Sequence, residues 1–268
     1  MNATRWNQNG KVIIMSETTD EPISMIGQLS GICWDADTTN HEKNFKRGLD
    51  CIKSGHGRTL EYPQIYMILN GWSARVMREF MRHNGGDPSY LQASTRYIDY
   101  KNFNYIVPPQ IKNNPEAWDA FEGTMDEIRM TADYLENDLG VKREDCGMIL
   151  PLAMETKVVV RTNLRMLYDM AKVRKCQRAY WEFRELFKQI EESLSIYSDE
   201  WKYLIEEYKI FRSKCDWVGC CDETNSCGRK IKRKDFEQFI EMAEFYHKQH
   251  YDGRKVKDFT LEDNNEKI

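Results

Sequence analysis

Tyr62-Pro63-Gln64-Ile65-Tyr66-Met67-Ile68-Leu69-Asn70-Gly71-Trp72-Ser73-Ala74-Arg75-Val76-Met77-Arg78-Glu79-Phe80-Met81 joins two kinds of periodicity in one segment. Tyr62 to Leu69 is rich in aromatic and β-branched residues and is bounded by Asn70-Gly71, the pattern of a strand. Ser73 then stands as an N-cap, and Val76, Met77, Phe80 and Met81 recur at helical spacing until Gly85-Gly86-Asp87-Pro88. Working outward, Lys11 to Met15 is a second β-rich run. Thr39 with Glu42 reads as a capping box that opens a helix through Leu49 and Ile52, stopped by Gly55. Ala117 to Leu139 is helical by pattern, and Lys157 to Val160 is a short strand or helix start. Asn163 to Phe211 holds two or three long helices with a break near Arg174, and Leu164, Leu167 and Ala171 form a buried stripe. The polar tail after Gly253 is expected to fray. With no internal repeat and no long linker, the expected fold class is α/β (α+β): one domain over 1–212 and a helical, cysteine-containing extension and tail over 213–268.

The 268 residues are 41% apolar and 12% aromatic, enough for a real core. No apolar run approaches the ~20 residues that cross a bilayer, so the reading excludes membrane spanning. The net charge of -4 gives no general positive field for nucleic acid. The first residues lack an apolar secretory segment, so a cytoplasmic location and mostly free thiols are expected for the eight cysteines. Cys33, Cys51, Cys146 and Cys176 are scattered and read as small core residues.

Two clusters carry chemistry. Arg78 and Arg82 share a helix face, a like-charge pair that an anion would relieve, and His83 and Asn84 follow at once. Ser94-Thr95-Arg96 then crowds two hydroxyls and a guanidinium into the set a phosphate oxygen needs, or into a plain solvated turn. The second cluster is Asn163-Leu164-Arg165, Asp169, Arg174, Arg178 and Glu182. Arg165–Asp169 and Arg178–Glu182 are each spaced as i,i+4 ion pairs.

Together these clusters resemble the flavin-dependent thymidylate synthases. The family signature of Arg-His-Arg, a spacer, then Ser-Gly-Arg-Tyr is similar to Arg82-His83-Asn84, nine residues, and Ser94-Thr95-Arg96-Tyr97. Asn163-x-Arg165, Arg174, Arg178 and Trp181-Glu182-Phe183-Arg184 resemble its later pattern. Gly55-His56 with Glu61, and Leu150-Pro151, resemble two further motifs. The resemblance runs in order from Gly55 to Arg184. It implies an FAD enzyme that moves a methylene from methylenetetrahydrofolate to C5 of dUMP, forming dTMP, with NADPH reducing the flavin.

By the same resemblance, Arg174 and His56 take catalytic roles. Arg78, Glu79, Gln92, Ser94, Thr95, Arg96 and Arg174 bind the nucleotide, Ser94 to Arg96 at its phosphate. Glu61, Arg82, His83, Asn84, Asn163, Arg165, Asp169 and Arg178 bind the flavin or line its folate side. A homotetramer with shared sites is implied. The chain departs from the family at Asn84 (for Arg), in a loop two residues longer, at Gln92 (for Glu) and at Arg178 (for His). Glu79 stands for a Gln, and Gly147 for an Arg, that touch the substrate phosphate. A carboxylate about 4 Å from a phosphate costs from ~1 kcal/mol in water to ~4 at intermediate dielectric. Either a base such as Arg75, Arg78 or Arg143 then compensates, or the nucleotide is held differently.

The remaining cysteines, Cys215, Cys220, Cys221 and Cys227, precede the basic run Gly228 to Lys234. They lack the CxxC spacing of zinc ribbons, and read either as free thiols or as a structural zinc site. The basic run is a surface face or a docking site for polyglutamylated folate. Alternative functions are C5 methylation or hydroxymethylation of another pyrimidine nucleotide by the same flavin chemistry, or a cysteine-rich nucleic-acid-binding protein. The absence of aromatic interleaving in the basic run opposes the latter. A zinc deaminase is disfavoured because its H-x-E and P-C-x-x-C motifs do not occur.

Overall fold

Four strands pair antiparallel into one sheet: β1 (Lys11–Ile14), β2 (Gln64–Ser73), β3 (Ser89–Gln92) and β4 (Glu155–Asn163), in the order β1-β2-β4-β3. The computed structural model describes residues 6–7, 10–85 and 87–250, so the tail after Gly253 lies outside the described residues. β2 does not stop at Asn70-Gly71 as expected. Gly71 takes a left-handed φ of 75° and makes a bulge where the β2–β4 register shifts between Asn70 and Trp72. A glycine inside a strand absorbs that extra residue without a Cβ clash. The strand thereby carries on to Ser73 and hands the chain straight to the next helix. Ile65, Met67 and Leu69 of β2, with Val158 and Val160 of β4, alternate onto a fully buried face.

The longer helices are α1 (Pro22–Cys33), α2 (His41–Lys53), α3 (Ala74–Phe80), α4 (Pro115–Asp133), α5 (Leu164–Arg174), α6 (Trp181–Tyr197) and α7 (Arg233–His250). Helices α3, α5 and α6 bury Val76, Phe80, Leu164, Leu167, Ala171, Phe183 and Phe187 in the core that the sheet face shares. The break near Arg174 is where α5 ends. α3 ends at Phe80, earlier than the stop expected at Gly85.

α1 was not legible in the sequence, and its start shows why. Glu21 makes no side-chain cap; the first N–H groups, of Ile23 and Ser24, donate to Glu200 Oε2 at 2.7 and 3.0 Å, from a residue 177 positions away. α1 and α2 then approach as closely as two glycines allow. A Cβ on Gly27 would lie 1.7 Å from the Asn44 carbonyl oxygen, and one on Gly48 1.9 Å from that of Ile23. The capping box at Thr39 is also corrected. Asn40 caps α2 through Lys43 N at 2.9 Å, while the Thr39 hydroxyl donates to Asp37. Cys51 and Cys146 are buried as expected, but Cys33 is exposed at the end of α1 and Cys176 is half-buried. No helix among the described residues is long and apolar enough to cross a membrane.

Candidate active site

Ser73 is both the last residue of β2 and the cap of α3, its hydroxyl accepting from Val76 N at 3.1 Å. Its own N–H and hydroxyl donate to Glu182, which is 2% exposed at the start of α6. Burial pushes the Glu182 carboxyl up, against the pull of the two Ser73 bonds. Glu182 is thus the pin between two helices and not the partner expected for Arg178, which pairs with Glu223 at 3.3 Å. Near the C-terminal end of α3, Glu79 meets Arg174 from the end of α5.

Arg174 is held at two nitrogens. Nη1 donates to Glu79 Oε2 at 2.8 Å and Nε to His83 Nε2 at 2.9 Å, with Cζ 4.7 Å from the Phe183 ring centroid. The Tyr90 hydroxyl donates to the His83 carbonyl at 2.7 Å and fixes the turn after α3. Burial first, and the Arg174 charge second, bring the His83 pKa down to about 4. The imidazole is therefore neutral at pH 7 and able to accept from Arg174. The cation that compensates Glu79 is Arg174 itself, rather than Arg75, Arg78 or Arg143. Arg143 is spent on Glu136 at 2.8 Å, and Arg75 lies over the Tyr180 ring at 4.7 Å. Arg78, Arg82 and Asn84 are exposed.

The hydroxyl–guanidinium turn follows β3. Ser94 Oγ accepts from Arg96 N at 3.2 Å, and Thr95 is half-buried beside Cys146 and Gly147. Arg96 reaches Glu144 at 2.9 Å. Gln92 donates to Thr156 Oγ1 at 3.4 Å. The turn presents two hydroxyls and an exposed arginine already facing one carboxylate, Glu144, that no motif singled out.

A cavity of about 260 Å³ opens between His56, Gly57, Arg165, Tyr168, Lys172 and Trp217. Asn163 caps α5 through Met166 N at 2.9 Å and is buried, so it sets the direction of Arg165. Asp169 accepts from Arg165 at 2.7 Å and Lys172 at 2.9 Å; burial raises its carboxyl, and those two bonds outweigh it to leave the pKa lowered. Gly57 makes room for the guanidinium: a Cβ there would lie 1.7 Å from Arg165 Nη1. Glu61 is exposed and does not line this cavity. Cations beside aromatic faces suit a ligand that is both anionic and planar.

Residues 14–196 match the family model described as thymidylate synthase complementing protein. The flavin-dependent thymidylate synthase of Pyrococcus furiosus is 32% identical over 190 residues, 67% of this chain and 75% of its own length. That of Clostridium tetani is 26% identical over 252 residues, 86% of this chain and 98% of its own. The chain belongs to the flavin-dependent thymidylate synthase family. Its fold agrees with the crystal structure of the flavin-dependent thymidylate synthase from Helicobacter pylori complexed with FAD and dUMP, at a TM-score of 0.59 and 19% identity over 74% of this chain and 98% of that one.

The family-model match ends at residue 196, short of the cysteine cluster, while the similarity to the Clostridium tetani relative, over 86% of this chain, extends across it. Cys215, Cys220, Cys221 and Cys227 join Cys176 around a cavity of about 360 Å³ that Arg174 and Arg178 also line. The zinc expectation is not met. Among the described residues no group of three or more His, Cys, Asp or Glu side chains is placed to hold a metal ion. Cys215 Sγ contacts Ser213 Oγ at 3.2 Å and Arg229 Nη2 at 3.3 Å, Cys220 and Cys221 are buried, and Cys227 is exposed. The basic run is likewise spent internally. Arg229 pairs with Asp216 at 2.8 Å, Arg233 with Asp222, and Lys232 donates to the Thr224 carbonyl at 3.0 Å. This network folds residues 213–233 back against the end of α5.

Proposed function

We propose that this flavin-dependent thymidylate synthase converts dUMP to dTMP with bound FAD, methylenetetrahydrofolate as one-carbon donor and NADPH as reductant. The observation that carries the reading is the two-point grip on Arg174 by Glu79 and His83, which leaves Nη2 for a ligand. A guanidinium already fixed in direction stabilises negative charge developing on a uracil ring without having to reorganise. Neutral His83 supports this by accepting a hydrogen bond from Arg174 instead of repelling it.

Ser94, Thr95 and Arg96 would hold the nucleotide phosphate, with Arg96 exchanging Glu144 for the more highly charged partner. Arg165 and Lys172 would hold anionic groups of FAD, and His56 and Tyr168 would line its ring. The room Gly57 leaves for Arg165 fits that assignment. Bound FAD supplies the hydride that reduces the transferred one-carbon unit to methyl. The residues assigned to nucleotide and flavin above all lie in 1–212, the catalytic domain, and 213–268 is an extension whose residues 213–233 pack against it. A homotetramer would cover Leu91, Tyr97 and Met148, which are 73%, 75% and 85% exposed around the phosphate turn.

The test is the absorbance spectrum of FAD-reconstituted protein, then NADPH oxidation with dUMP and methylenetetrahydrofolate, with product mass. Flavin retention and a product heavier than dUMP by one CH2 are expected. Colourless protein that does not retain FAD would sink the proposal, and a preference for a cytidine or ribonucleotide would replace the substrate.

A further inference from the structure

The cavity at His56 and Arg165 is also lined by residues beyond the span 14–196 that the family model matches. Trp217 sits on the short helical turn Lys214–Val218, and Tyr208 precedes it. This indole is not packed into the main core. Its ring meets Tyr168 edge-on at 5.6 Å and 70°, and Arg212 Cζ lies 4.1 Å from its centroid. The turn beneath it is tied by Ser213 and Arg229 to Asp216.

Trp217 Nε1 is buried and has no hydrogen-bond partner. Buried indole N–H groups normally find an acceptor, so the wall is incomplete as it stands. Beside it, Lys172 Nζ lies 4.0 Å and Arg165 Cζ 6.0 Å from the Tyr168 ring centroid, and Arg165 rests in the space that Gly57 leaves. The cavity thus offers aromatic surface with two cations adjoining it. At about 260 Å³ it takes one ring system and not a whole dinucleotide.

We infer that Trp217, carried by the cysteine-bearing extension, is a cofactor-binding residue: with Tyr168 it forms the aromatic wall against which a ring of FAD lies while Arg165 and Lys172 take the adjoining negative charge. This rests on the flavin reading above. It makes the extension part of the cofactor site, so the extension's fold and flavin affinity are linked: whatever loosens the turn at Lys214–Val218 weakens the cofactor.

The test uses full-length wild type, W217F and W217A, each stripped of flavin and titrated with FAD, FMN and ADP. Flavin absorbance and tryptophan emission are both followed, and circular dichroism checks the fold. Loss of ring stacking in W217A should weaken FAD by about tenfold or more, and W217F, which keeps an aromatic face, by roughly threefold or less. The emission difference between wild type and W217F should be quenched by FAD. The same quenching with FMN assigns the isoalloxazine ring, and competition by ADP assigns the adenine. Wild type that binds no FAD overturns the flavin reading as a whole. Wild type that binds FAD, with W217A equally tight and no FAD-quenched emission lost in W217F, overturns the role of Trp217 alone. If W217A does not fold, the W217F emission difference decides.

Discussion

Replacing Arg174 with Met removes a charge while keeping the stem that lies over Phe183, and its first consequence is read at His83. In the wild type the His83 pKa is about 4 against an ordinary 6.5, with burial the larger cause and the Arg174 charge the second. The folded value lies below the unfolded one, so between pH 6.5 and 4 the unfolded chain binds more protons, and stability falls as the pH drops through that window. At ~1.4 kcal/mol per unit, a fully sealed site would lose about 3 kcal/mol; water at the half-buried ring reduces this to about 2. In Arg174→Met the His83 pKa should rise part of the way toward 6.5 and stop short, because burial remains. Glu79, 21% exposed in its side chain, loses its partner, which should cost about 1–3 kcal/mol at pH 7. Histidine ring resonances followed by NMR from pH 3 to 8, assigned with His83→Asn, give the pKa, and urea unfolding at pH 7 gives the stability. A wild-type His83 titrating near 6.5, or an Arg174→Met His83 still near 4, would refute the reasoning.

Gly27→Ala gains about 1 kcal/mol of helix propensity but drives a Cβ to 1.7 Å from the Asn44 carbonyl; urea unfolding should show a net loss of about 2–3 kcal/mol. At Gly57→Ala the clash is instead with the far end of the Arg165 side chain, so the melting temperature should change little while FAD affinity falls. Arg96→Ala should weaken dUMP by about 1.5–3 kcal/mol, the size of a charge-assisted hydrogen bond, with a smaller effect on turnover; equal loss of turnover at saturating dUMP would move Arg96 out of the phosphate site. Cys146 is 5% exposed and contacts the Val141 carbonyl, and Cys146→Ser should retain methyl transfer. Abolished activity with flavin content intact would point to a nucleophilic thiol.

Local chemistry was legible along the chain wherever it is written in neighbouring residues. Ser73 announces α3, the apolar stripe of Leu164, Leu167 and Ala171 announces α5, and four motifs in order announce the family. These signals are local because caps, helical faces and motif spacings involve residues a few positions apart. What the tertiary structure alone decided lies across long separations. The start of α1 is held by Glu200 and the cap of α3 by Glu182, so neither carboxylate could be assigned by its neighbours. Glu79 reads in sequence as a charge set against a phosphate, and in the fold it is the partner of Arg174, 95 residues away. Trp217 reads as one aromatic residue among cysteines until the chain folds back and sets it beside Tyr168. A charge or ring takes its meaning from what burial places within a few ångströms of it, and that distance is set by the packing of helices and sheet, not by order along the chain.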